Sequence, residues 1–159
     1  LRVESGLVST RRDWGNIFRI VAAAGFAASA ALHLATFTPL SPAVGAASAV
    51  TLFLGALALL AAMIVRLRAA GAPLRGQGTV RVVDWRRLAA FVPEGPRRAT
   101  LAVVAYVLMN LVLCLVFLDE SAGSVRLLSG HLLLFYLIPL LYFRFVEPRL
   151  RDGGDRSDP

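Results

Sequence analysis

Four apolar runs of about 20 residues divide this chain, and nearly all of its arginines lie in the segments that flank them. The runs extend from about Asn16 to Phe37, Ala43 to Val65, Ala99 to Leu118 and Leu127 to Val146. At about 1.5 Å rise per residue, each reaches across a hydrocarbon layer of roughly 30 Å. In that layer only helices or a closed barrel satisfy every backbone N–H and C=O, and continuous apolar runs without strict alternation select helices. The expected fold is all-α: four transmembrane helices in an up-down antiparallel bundle, one domain over residues 1–146. Composition agrees, because 57% hydrophobic residues over 159 positions leave too little polar surface for a soluble domain.

The connections carry their own signals. Residues 1–15 are polar and end at Trp14, whose amphipathic ring suits the headgroup level. Thr38-Pro39-Leu40-Ser41-Pro42 is short and uncharged, with Ser41 as N-cap and Pro42 as first helical residue of the second span. So tight a turn makes the first two helices antiparallel neighbours. After Arg66 and Arg68, Gly71, Pro73, Gly76 and Gly78 mark flexible chain. Residues 84–92 then read as a short interfacial helix. Asp84 caps it, Trp85, Leu88 and Phe91 or Val92 share a face, and Arg86 and Arg87 point to headgroups. The alternative is a solvated linker with chance periodicity. Pro93 and Pro96 end this element. Pro139 falls within the last run, where it frees the carbonyl near Phe135 and favours a kink. The charged, glycine-containing residues 147–159 are expected to be a disordered tail.

Orientation follows from counting arginines. Arg2, Arg11, Arg12 and Arg19 flank the first run, eight lie from Arg66 to Arg98, and Arg144, Arg149, Arg151 and Arg156 follow the last. Only Arg126 lies on the opposite side, a bias of sixteen to one that places both termini and the middle loop in the cytoplasm. The location expected is the bacterial inner membrane. All 17 basic residues are arginine, which fits GC-rich coding, and their membrane-flanking positions account for the +7 charge without nucleic acid. Thr10-Arg11-Arg12-Asp13-Trp14 resembles a twin-arginine export signal. However, Gly15 and Asn16 interrupt it, the apolar run is long enough to span, and no small-x-small cleavage site precedes the turn. A retained first helix is the better reading. Leu1 in place of Met fits an alternative start codon or an internal start, and the single Cys114 excludes an intrachain disulfide.

The helix interiors hold no Asp, Glu or Lys, which disfavours a proton-coupled transporter. Polar interest centres on the two histidines. His33 lies about five residues from the outer end of the first helix and His131 about four residues from the outer start of the last, so both sit roughly 6–8 Å below that boundary. In an up-down bundle these helices are neighbours, so the imidazoles can face each other. Cys114 and Ser48 fall at the same level. Gly25, Ser29 and His33 form a stripe of small and polar residues on the first helix, as do Tyr106, Asn110 and Cys114 on the third. His131 aligns with Phe135 and Tyr142 on the fourth.

Three readings of this layer stay open. One is structural, with neutral histidines bonded between helices. Another is a b-type haem ligated by His33 and His131. A third is a metal or small-ligand site built from His33, His131 and Cys114, with Asp119 or Glu120 at the rim. No HExxH, CxxC, P-loop or GxSxG pattern supports a familiar enzyme.

Ser129-Gly130-His131-Leu132-Leu133-Leu134-Phe135-Tyr136 resembles the motif that opens the last helix of small uncharacterised bacterial four-helix integral membrane proteins. Leu32-His33-Leu34-Ala35-Thr36-Phe37 is similar to their first-helix motif, and Trp85 to Pro96 to their tryptophan-bearing loop helix. Leu132 departs from the pattern, which has tryptophan there. The resemblance implies the four-helix fold and draws both histidines into recognisable motifs, but it implies no activity. The function expected is a non-catalytic membrane component or accessory subunit, in contact with the lipid bilayer and with a membrane-protein partner or further copies of itself. A haem-binding electron carrier and a metal- or ligand-binding permease or enzyme are the alternatives.

Overall fold

The computed structural model describes residues 4–38, 42–70, 74–75, 82–117 and 120–154. Within them lie α1 (Glu4–Ala35), α2 (Pro42–Ala69), the short α3 (Trp85–Ala89), α4 (Glu94–Phe117) and α5 (Glu120–Leu141). A π-helical turn (Tyr142–Val146) leads from α5 directly into α6 (Glu147–Gly154). Four stretches are long and apolar enough to cross a membrane: Trp14–Ala35, Ala43–Ala69, Glu94–Val116 and Ser124–Leu150. They form the expected antiparallel bundle, and the chain is a multi-pass integral membrane protein.

The outer surface supports that conclusion. Ile20, Leu34, Leu54, Val65, Leu108 and Leu115 are all exposed. An apolar surface this continuous belongs in hydrocarbon rather than water. The extreme case is α4, whose most apolar window is only 17% buried within the protein. Association in lipid therefore rests on packing and interhelical hydrogen bonds, because burial of apolar surface gives little advantage there.

The last helix is the hub. α5 packs against α1, α2 and α4, and α4 rests mainly on α5. The best-packed region lies toward the end that carries the arginines, where Ala22, Ala56, Met63, Leu67, Tyr136 and Phe143 form one buried cluster.

Several element boundaries differ from expectation. α1 begins at Glu4 rather than near Asn16, since extending an existing helix costs far less than nucleating one and no proline interrupts the polar flank. α4 begins at Glu94 and takes Pro96 into its first turn, where a missing N–H removes no intrahelical bond. α5 begins at Glu120 rather than near Leu127 and contains Pro139. The expected disordered tail is helical through Gly154, and Glu147 at its head is buried.

α3 is shorter than residues 84–92, but its signals are those read from the sequence. The Asp84 side chain accepts a hydrogen bond from the backbone N–H of Arg87. Leu88 is buried, Phe91 and Val92 pack on the core, and Arg86 and Arg87 are exposed. In the glycine-bearing segment before it, Leu74–Arg75 pairs antiparallel with Val82–Val83. The Ser41 cap, the side chain of Trp85, Asp119, the side chain of Glu120 and residues 155–159 lie outside what the structure describes.

Candidate polar clamp between the helices

Three cross-helix anchors fix α5 and its continuation through the π turn into α6, stacked along their length. The first lies at the end away from the termini. His33 of α1 is buried at 3% exposure and has both ring nitrogens engaged. Nδ1 lies 2.9 Å from Ser129 Oγ on α5, and Nε2 meets the phenol of Tyr106 on α4. Ser129 Oγ also donates to the Arg126 carbonyl at 3.0 Å. With that proton committed, Ser129 must accept from His33 Nδ1–H, which leaves Nε2 to accept from Tyr106 O–H. The tautomer assigned from the network is therefore neutral Nδ1–H, in a chain running Tyr106 to His33 to Ser129 to the Arg126 carbonyl. Bonds that all point one way polarise one another in a medium of low dielectric.

Neighbouring groups enclose this chain. Asn110 Nδ2 donates to the Arg126 carbonyl at 3.4 Å, and Cys114 Sγ lies 3.7 Å from Asn110 Oδ1. The Arg126 guanidinium sits 3.7 Å above the Phe37 ring, whose edge contact with His33 completes the outer layer. Gly130 is what lets α5 come so close. A β-carbon there would lie 2.7 Å from Asn110 Nδ2 and 3.5 Å from His33 Cε1.

The second anchor lies about 10 Å deeper, seven residues along α5. Tyr136 Oη donates to the Leu52 carbonyl of α2 at 2.7 Å. Its ring occupies a notch made by two glycines, Gly25 of α1 and Gly55 of α2. The third anchor, at the arginine-rich end, is the ion pair between Arg66 of α2 and Glu147 at 2.7 Å. Phe18 of α1 lies beside this joint, with the Arg66 guanidinium 5.3 Å from its ring centre and Phe143 stacked at 5.2 Å.

The expected polar layer is thus present, but its membership differs. The Gly25–Ser29–His33 stripe faces inward as read, and Asn110 and Cys114 are buried on α4. Along α5 and into the π turn the inward face is Ser129, Leu132, Tyr136, Pro139 and Phe143 rather than the His131–Phe135–Tyr142 line. Tyr142, the first residue of the π turn, is also buried. His131 is half-buried, and its Nδ1 donates to the Leu127 carbonyl of its own helix at 2.8 Å. The two imidazoles share no hydrogen bond or ring contact. Ser48 lies instead in an open groove between α1 and α2, beside Ala28, Ala31 and Thr51.

Among the described residues, no group of three or more His, Cys, Asp or Glu side chains converges as metal ligands would. Ligation of iron through His33 would require Tyr106 or Ser129 to release a ring nitrogen. Sequence reading missed Ser129 as the histidine's partner and Glu147 as a buried anchor. The Ser-Gly pair beside His131 was the available signal for the first; a lone acid after a span gave none for the second.

Fold and site together define a multi-pass helical membrane protein knit by a buried polar clamp. No protein-family model, curated protein or solved structure matches the chain.

Proposed function

We propose that this protein is a non-catalytic component of the bacterial inner membrane, an accessory subunit that packs against partner membrane proteins with both termini cytoplasmic. The observation that carries the reading is the full engagement of His33. The buried imidazole of the bundle interior has its two nitrogens committed to Tyr106 and Ser129, so the layer acts as an interhelical fastener. The groove of about 550 Å³ between α1 and α2, lined by Ala28, Ala31, Ala47, Ser48 and Thr51, supports association. Small residues let another helix approach closely in lipid. The sixteen-to-one arginine asymmetry supports the orientation, and the resemblance to small bacterial four-helix proteins supports the setting.

Blue-native electrophoresis after mild solubilisation tests the proposal. The expected result is a band well above the 17.1 kDa chain that contains a second membrane protein. A lone monomer with nothing co-purifying would count decisively against it.

A further inference from the structure

At the arginine-rich end, α2, α3 and the end of α5 with its π turn line an open apolar groove of about 260 Å³. Met63, Leu88, Val92, Ile138, Leu141 and Tyr142 form most of its wall. Water is a poor occupant, because a stable buried water needs two to four polar partners and this wall is almost wholly apolar. At roughly 30 Å³ per water-sized group, the space takes a hydrocarbon segment of roughly nine such groups.

The chain around α3 is predominantly basic. From Arg66 to Arg98 the chain carries eight arginines against two acids, Asp84 and Glu94. Arg66 is occupied by Glu147 and Arg98 by Glu94. Arg86 and Arg87 remain exposed on α3, directly before Leu88 and Ala89, which line the groove. Arg87 makes only a loose 3.5 Å contact with Asp84 and is 76% exposed. A five-residue helix that buries Leu88 and turns two guanidinium groups outward joins an apolar seat to a cationic rim.

We propose that this groove holds one acyl chain of an anionic phospholipid, with its phosphate bound by Arg86 and Arg87. Guanidinium forks match phosphate geometry. The net positive charge of the segment favours a headgroup with net negative charge over a zwitterionic one.

The test is native mass spectrometry of the full chain released from nanodiscs of equimolar phosphatidylglycerol and phosphatidylcholine. The wild type is expected to retain one phosphatidylglycerol, enriched over phosphatidylcholine by roughly tenfold. The double variant Arg86→Gln/Arg87→Gln should bring that ratio close to one. Ala89→Phe, at an exposed position on the groove wall, should reduce retention of both lipids while leaving the arginines in place. Ile138→Trp, exposed on the facing wall, is the second groove-filling variant should the first fail to fold. Equal retention of the two lipids by the wild type would overturn the proposal. So would undiminished phosphatidylglycerol retention in a folded groove-filling variant, because the arginines would then attract headgroups without any seat for the chain.

Discussion

The ring of Tyr136 lies where a side chain on Gly25 would have to be. A β-carbon built on Gly25 would fall 2.0 Å from Tyr136 Cε1 and 2.3 Å from Cδ1. No rotation of a ring fixed by its hydrogen bond to Leu52 relieves that overlap without breaking the bond. Gly25→Ala should therefore destabilise the bundle by about 3 kcal/mol, the upper end of ordinary overpacking. In a Tyr136→Ala background the same substitution should cost less than about 1 kcal/mol, because the obstructing ring is gone. Thermal unfolding of the four proteins in detergent measures this coupling. Equal cost in both backgrounds would show that the glycine is not there for the ring.

The two histidines should respond unequally to truncation. His33→Ala removes a buried imidazole, leaving Ser129 with only its bond to Arg126 and the partly exposed Tyr106 short of a partner, at a cost of about 2 kcal/mol. His131→Ala removes one bond to its own helix from a half-buried side chain, at a cost of about 1 kcal/mol or less. Unfolding temperatures of the single variants compare them directly. An equal loss in both would remove His33 from its central place.

Absorption spectroscopy addresses haem independently of stability. His33 offers no free ring nitrogen, so membranes rich in the protein are expected to show no Soret band above the vector control. A band that disappears in His33→Ala would reverse this expectation and establish ligation.

Glu147 and Arg66 form a joint whose loss should loosen the arginine-rich end. The carboxylate side chain is 5% exposed and the arginine 19%. Glu147→Ala should cost about 2–3 kcal/mol, below the value for a fully buried pair because Arg66 keeps some contact with solvent. Arg66→Met/Glu147→Leu should recover much of that loss, since an apolar pair leaves no charge stranded. A double variant no more stable than Glu147→Ala would argue against a direct pairing.

Orientation can be read by labelling. In a Cys114→Ser background, a membrane-impermeant maleimide applied to intact cells with a permeabilised outer membrane should modify Gly123→Cys. Asp152→Cys should react only after lysis. The reverse pattern would place the arginines outside.

Much of the architecture was legible along the chain. The four spans, the packing of the first two helices against each other, the Asp84 cap and the inward stripe Gly25–Ser29–His33 depend on apolar length, capping chemistry and helical period, all of which are local. The extension of α1 to Glu4 and of α6 to Gly154 was not legible. In those polar segments propensity decides little until a neighbouring helix is already formed. Glu147 looked like part of a solvated tail because its partner, Arg66, lies 81 residues away.

Sequence alone determined that the chain crosses a bilayer four times and which ends carry the positive charge, because hydrocarbon thickness and charge bias act on each segment separately. Only the tertiary structure decided that Ser129, rather than His131, meets His33. Residues two apart on a helix differ by about 200° of rotation, and the rotation of α5 was set by how closely it could settle. Gly130 against Asn110, and Tyr136 between Gly25 and Gly55, fix it.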